Sequence, residues 1–358
     1  MPFRDSSTQP AALYFGEHLH RLHPTARWNA HCLESDWTCA ADTARMSTPI
    51  ILDCDPGHDD AIALLLALAS PEVELLCVTT VHGNQTLEKT TANALRVLDL
   101  ARRSDIPLAA GASRPLTREL SVASHVHGES GLDGPALPPA SRAPLDESAV
   151  ELMERTIAAS PAPVTLVPTG PLTNVAHLLE RTGGANVDRI VLMGGAIAEG
   201  NMTPAAEFNI WADPEAAQAV FHAGIDVCMI GLDVTHRALT TPALQERLRR
   251  TGTAGAFVAE LVDFFALYHR ETYGWDGAPI HDAVAVAHVI QPQIVTTVSC
   301  NVEIECESEL CRGRTVADRW HRTERARNAT VGIDLDAGAF FDLLCDRIER
   351  LDATLETS

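Results

Sequence analysis

The chain has 358 residues and a formal net charge of −21. That balance excludes a nucleic-acid or anionic-membrane partner, either of which needs a basic face. The apolar share of 46% supports a sizeable core, and no apolar run approaches the roughly 20 residues of a membrane-spanning helix. Nine cysteines, odd in number and mostly inside apolar stretches (Cys54, Cys77, Cys228, Cys345), read as the reduced thiols of a cytoplasmic protein. Cys306 and Cys311 lack a second Cys/His pair at zinc spacing. The N-terminus has no apolar core of the kind a secretory signal requires.

Residues 1–47 carry four histidines, His18, His20, His23 and His31, and two tryptophans in no clear period. They read as an N-terminal extension of low order, with Met46 as an alternative start. A single domain is expected over 48–358. It opens with Ile50-Ile51-Leu52, an apolar β-branched run suited to a strand buried on both faces. Pro56-Gly57 turns the chain, and Asp59-Asp60 begin a helix over Ala61 to Leu68. Val73 to Val81 is the second strand, ending in His82-Gly83-Asn84-Gln85-Thr86 before a helix to about Ala101. A short strand at Pro107 to Ala110 leads into a glycine-rich loop, His125 to Gly134, of the long kind that often carries function.

A helix over Glu147 to Ala159 precedes the strand Val164 to Val167, which ends in Pro168-Thr169-Gly170-Pro171. Ile190 to Met193 is a strand, Asn201 to Asn209 a polar loop, Asp213 to His222 a helix and Ile225 to Ile230 a strand. Two helices are expected over 243–270, the second with a Phe257, Leu261, Phe264, Phe265, Tyr268 stripe that reads as core or subunit contact. Glu271 to Ile280 reads as an aromatic loop, and His281-Asp282 open an apolar helix. Strands at Val295 to Glu305 and Thr330 to Asp334 and a helix over Ala337 to Leu351 close the chain. This alternation predicts an α/β fold with a mainly parallel, open, doubly wound sheet and helices on both faces.

Asp53, Asp55, Asp59 and Asp60 fall within eight positions, at the carboxyl end of the first strand and the start of the next helix. Open α/β sheets bind ligands at that edge. Four carboxylates so close raise one another's pKa when buried, and a hard cation, Ca²⁺ or Mg²⁺, relieves them. An EF-hand is excluded, since Leu64 stands where its twelfth-position Glu belongs. An aspartyl-phosphate phosphatase, a P-loop and a Schiff-base enzyme each want a lysine, and Lys89 is the chain's single one.

The motifs carry a family resemblance over about 49–350. The chain resembles the nucleoside hydrolases of the inosine-uridine preferring type in DxDPGxDD at 53–60, GNQT at 83–86, HGESGLDGPALP at 127–138, TGPLTN at 169–174, MGG at 193–195, PAAEFN at 204–209, DPEAA at 213–217 and HD at 281–282. DPGHDD, GLDVTH at 231–236 and GAPIHD at 277–282 are most similar to the bacterial pyrimidine-preferring members. The resemblance implies Ca²⁺ held by Asp55, Asp60, Asp282 and the Thr169 carbonyl. It implies ribose contacts from Asp59, Asn201, Glu207 and Asn209, with Asn84, His127 and Met193 around the substrate and His281 toward the nucleobase. It also implies a homo-oligomer, a tetramer or a dimer, in nucleoside salvage.

The implied chemistry is hydrolysis of the N-glycosidic bond of a ribonucleoside, with uridine or cytidine the expected substrate. A water held by the ion attacks C1′, with Asp55 as general base and His281 as donor to the departing base. Tyr268, Tyr273 and Trp275 are expected to close over the base, with Tyr273 taken as the contact. Asp53 reads as an orienting residue, His58 as a paired structural imidazole, and His82 and His125 as loop packing. A purine-preferring or broad hydrolase, and a non-catalytic protein that binds nucleoside or ribose, stand as alternatives.

Overall fold

The computed structural model describes residues 47–357, so the expected N-terminal extension lies outside the described residues. An eight-stranded sheet is built from β1 (Thr48–Cys54), β2 (Val73–Thr80), β3 (Leu108–Ala110), β4 (Val164–Pro168), β5 (Val187–Met193), β6 (Val227–Ile230), β7 (Val295–Cys300) and, after a small hairpin of β8 (Val302–Ile304) and β9 (Thr315–Ala317), β10 (Ala329–Leu335). Its strand order is β3-β2-β1-β4-β5-β6-β10-β7. Every pair is parallel except β10–β7. The expected α/β class and mainly parallel sheet are what the chain adopts.

The order places a topological switch between β1 and β4. The chain winds outward from β1 through β2 to β3, then returns to the other flank of β1 and winds outward again through β4, β5 and β6. Strand ends diverge there and leave a crevice at their carboxyl edge. The register sets Asp53 beside Thr79 on one side and Pro168 on the other. The acidic turn and the Thr169 turn therefore leave the sheet side by side.

Residues alternate between two cores, as strands buried on both faces require. Ile50 and Leu52 of β1 face one cluster with the helices His58–Leu68, Thr253–Tyr273, Asp282–Ile290 and Ala337–Thr357. Ile51 faces the other with Ala149–Ala159, Thr173–Thr182 and Pro214–Phe221. The helix after β1 is buried almost all round, with Ala61 to Leu66 hardly exposed at all, which suits its continuous apolar sequence.

Several boundaries differ from expectation. The helix expected to end by residue 270 runs on to Tyr273, where Gly274 in the left-handed region (φ +70°) stops it. Tyr273 therefore sits on the same helix as Tyr268, not in a loop. The strand expected over Val295 to Glu305 breaks at Asn301, whose Nδ2 donates to Glu303 and to the Ala326 carbonyl. The polar loop before Asn209 turns helical at Phe208, because Glu207 accepts from the backbone N–H groups of Asn209 and Ile210.

Leu65 is fully buried in the first helix. Leu65→Ala is expected to lower unfolding stability by roughly 2–5 kcal/mol, read from denaturant unfolding.

Candidate active site

The β1 turn delivers its aspartates into the interior, not to solvent: Asp53, Asp55, Asp59 and Asp60 are all buried. Asp53 Oδ1 accepts from Thr79 Oγ1 at 2.6 Å and Asn174 Nδ2 at 2.8 Å. Both partners belong to the expected orienting role and neither was legible in the sequence. Asp60 accepts four hydrogen bonds, from the backbone N–H of Asp55 and Gly57, Thr169 Oγ1 at 2.8 Å and Asn84 Nδ2 at 3.0 Å. Asp55 Oδ2 accepts from the Asn84 backbone N–H at 2.6 Å, while its Oδ1 is buried with no hydrogen-bond partner among the described residues. Turns close in tightly around Asp55. A Cβ on Gly83 (φ +156°) would lie 2.0 Å from Oδ2, and one on Gly170 2.6 Å from Oδ1.

Asp282 joins this group from far along the chain, at the first turn of Asp282–Ile290. One oxygen each from Asp59, Asp60 and Asp282 lie within 4.8 Å of one another. Burial pushes the carboxyls of Asp55, Asp60 and Asp282 upward, and that of Asp59 to about 7. Charge repulsion among them raises Asp55, Asp59 and Asp282 further. Asp53 is likewise raised to about 7 by burial. Thr169 is buried beside them, its carbonyl accepting from Asn209 Nδ2 at 2.7 Å and keeping a second lone pair. An all-oxygen donor set with an orphaned carboxylate oxygen fits a hard cation such as Ca²⁺. The three-carboxylate group contains Asp59 where the resemblance implied Asp55; Asp55 is buried close enough for Asp60 and Asp59 to repel its charge.

A cavity with about 690 Å³ of open volume lies over this cluster and is lined by Asp59, Thr169 and Asp282. One wall carries Asn201, Glu207 and Asn209, expected at the sugar hydroxyls, and Met193, expected around the substrate; Asn84, also expected around the substrate, lies beside His127. Glu207 accepts from the backbone N–H groups of Gly195, Asn209 and Ile210, and Asn209 Nδ2 also donates to the Met193 carbonyl. Asn201 is exposed at the rim and accepts from the Phe208 N–H.

The opposite wall is aromatic and imidazole-rich: His125, His127, His236, Phe265, Tyr268, His269, Tyr273 and His281. Both tyrosines reach it, so Tyr273 is one contact of two. Tyr273 stacks on Trp275 at 4.7 Å. His269, missed because it lies one position beyond the apolar stripe, bonds the Phe265 carbonyl through Nδ1 at 2.9 Å. His236, missed inside GLDVTH, sets its ring edge-on to His281 at 5.6 Å. His125, expected as loop packing, lines the cavity and meets Tyr268 edge-on. His58 does pair structurally, with His127 (Nδ1 to Nδ1 3.0 Å) and the Asp133 carbonyl instead of its flanking aspartates. Burial lowers His58 and His269 to about 4, and His127 and His281 well below the usual imidazole range.

A family model described as inosine-uridine preferring nucleoside hydrolase matches residues 50–342. The chain belongs to this nucleoside hydrolase family. It is 56% identical over 307 residues to the pyrimidine-specific ribonucleoside hydrolase RihA of Shewanella sp. (strain MR-4), covering 85% of this chain and 96% of that protein. It is 54% identical over 308 residues to the protein of the same name from Salmonella typhimurium, covering 85% and 99%. Among solved structures, the purine-preferring ribonucleoside hydrolase from Gardnerella vaginalis superposes with a TM-score of 0.81 at 34% identity, over 86% of this chain and all of that one. The nucleoside hydrolase fold thus spans the described body of the chain, with its acidic cluster and cavity at the switch point.

Raised carboxyl pKa values set a sign for stability against pH. In chelator the native state holds protons on Asp53 and Asp59 up to about 7, while the unfolded chain releases them near 3.8. Stability of the metal-free hydrolase is therefore expected to fall as the pH rises across that window. Added Ca²⁺ is expected to raise Tm more at about pH 8 than at about pH 5, because protons compete for the same oxygens. Scanning calorimetry with and without chelator checks both signs, and a larger Ca²⁺ effect at the lower pH contradicts the cluster.

Proposed function

We propose that this nucleoside hydrolase cleaves pyrimidine ribonucleosides, uridine or cytidine, to ribose and free base, with Ca²⁺ held by Asp55, Asp60, Asp282 and the Thr169 carbonyl. One observation carries the metal site: buried, mutually repelling carboxylates, two of which (Asp59 and Asp282) line a polar and aromatic cavity, stand with Asp55, whose Oδ1 is orphaned. The pyrimidine preference is supported by two relatives at 54–56% identity whose names specify pyrimidine ribonucleosides. When bound, the ion supplies a lowered pKa for a water and an anchor for the ribose diol.

The chain's own groups do the rest. Asp59, Asn201, Glu207 and Asn209 bind the sugar hydroxyls, with Asn84 and Met193 around the substrate. Asp55, whose Oδ1 is spoken for by no protein donor, takes the proton from the attacking water as general base. The water oxygen bonds to C1′, the C1′–N bond breaks, and its electron pair leaves with the base. Carboxylates beneath the sugar favour the positive charge that develops on the ribosyl group. His281 directs an N–H at the departing base, in the cavity that His127, Tyr268 and Tyr273 also line. Seven cysteines among the described residues are all free thiols, which supports a reducing, cytoplasmic setting.

Reducing-sugar release from uridine, cytidine, inosine, adenosine and guanosine tests both parts. Turnover is expected on uridine and cytidine above the purines, and is expected to stop in chelator. Asp55→Asn is expected to lower kcat by about 10²–10⁴-fold. Greater kcat/KM on inosine than on uridine overturns the base preference. Binding without turnover on any of the five overturns the enzyme itself.

A further inference from the structure

Thr235 ends the short helix Leu232–Thr235 behind the cavity and is fully buried. Its Oγ1 lies 2.7 Å from Nδ1 of His281. Among the described residues this is the only hydrogen bond that either side chain makes. His281 lines the cavity, and its Nε2 has no protein partner there. Its ring neighbours are His236 edge-on at 5.6 Å, His269 tilted at 6.4 Å and Phe265 edge-on at 6.5 Å. Ring contacts set the plane of an imidazole without choosing which edge faces the cavity. A half-turn about Cβ–Cγ exchanges nitrogen for carbon at both edges and costs such packing little. A hydrogen bond at Nδ1 is what distinguishes the two orientations.

Thr235 is itself firmly placed. Asp233 on the same helix accepts from the backbone N–H groups of Ile197 at 2.6 Å and Ala198 at 3.1 Å, and the Leu232 N–H donates to the Gly195 carbonyl at 2.9 Å. The helix is thereby tied to the turn after β5, on the wall that carries Met193 and Glu207.

We propose that Thr235 is a positioning residue for the hydrolysis: its hydroxyl holds the His281 ring with Nε2 turned toward the departing base. A hydroxyl suits this task because it donates or accepts as Nδ1 requires, so it serves the ring whichever nitrogen carries the proton. The role rests on His281 acting as donor to the base, and it makes Thr235 matter in proportion to how much help the leaving group needs. A natural pyrimidine leaves poorly without a hydrogen bond. The nitrophenolate of 4-nitrophenyl β-D-ribofuranoside leaves unaided, while using the same sugar and metal contacts.

Steady-state kinetics on uridine and on this aryl riboside separate the possibilities, with Thr235→Val, Thr235→Ser, His281→Ala and the Thr235→Val/His281→Ala pair. Thr235→Val keeps the shape and is expected to lower kcat on uridine about tenfold, the worth of one hydrogen bond, with KM nearly unchanged. Turnover of the aryl riboside is expected to stay within about twofold, Thr235→Ser to restore uridine turnover, and the valine to add nothing once His281 is alanine. Should Thr235→Val not fold, Thr235→Cys keeps the volume with a much weaker hydrogen bonder and is expected to behave the same way. Equal losses on both substrates, or a valine effect that persists without His281, overturn the proposal and leave Thr235 a packing residue. If His281→Ala itself spares uridine, the donor role of His281 falls, and the positioning role falls with it. If His281→Ala loses uridine turnover selectively and Thr235→Val does not, only the positioning role falls.

Discussion

Burying like charges together is the constraint on which this structure turns. Asp55, Asp59, Asp60 and Asp282 are buried together, and backbone N–H groups hold the carboxylates of Asp55 and Asp60 in place. Hydrogen bonds from Thr169, Asn84 and the turn amides offset part of the cost, chiefly at Asp60. They do not reach Asp55 Oδ1 or Asp53 Oδ2. Such an arrangement is costly without a proton or a cation among the oxygens. The fold places it where three strand ends and a helix start meet, so the cost is borne where a ligand can enter.

The cavity above it has two chemically distinct walls. One is polar and rigid, since Glu207 and Asn209 are bonded into the backbone of the loop they stand on. The other is a cage of stacked rings, with His127, His269 and His281 buried enough to remain neutral at ordinary pH. A hydrophilic sugar and a flat base have matching requirements. Much of the ring wall comes from one helix, Thr253–Tyr273, and from the loop after it. The same helix also packs against the turn that carries the acidic cluster, since Phe264 and Phe265 both stack on His58.

The sheet and the acidic turn were legible because their signals are local. Apolar runs such as Ile50-Ile51-Leu52 identify strands buried on both faces, and their alternation with helical segments predicts a parallel, doubly wound sheet. DCDPGHDD places its aspartates at a strand's end and a helix's start by itself, and the ordered motifs carried the remaining site residues. Helix ends were less legible, since Thr272 and Tyr273 are indifferent helix formers and only Gly274 marks the stop.

What the tertiary structure alone decided is which distant groups meet. Asp282 joins Asp59 and Asp60 because the helices His58–Leu68 and Asp282–Ile290 pack together on one face of the sheet, and no spacing along the chain encodes that. His58 pairing with His127, Asn174 holding Asp53, and Thr235 holding His281 are likewise contacts between residues tens of positions apart or more. The sequence determined the types of element and the chemistry available at each strand end, because backbone preference and hydrophobic period are read within a few residues. Side-chain partnership depends on how the layers pack, and that is settled only when the sheet is wound.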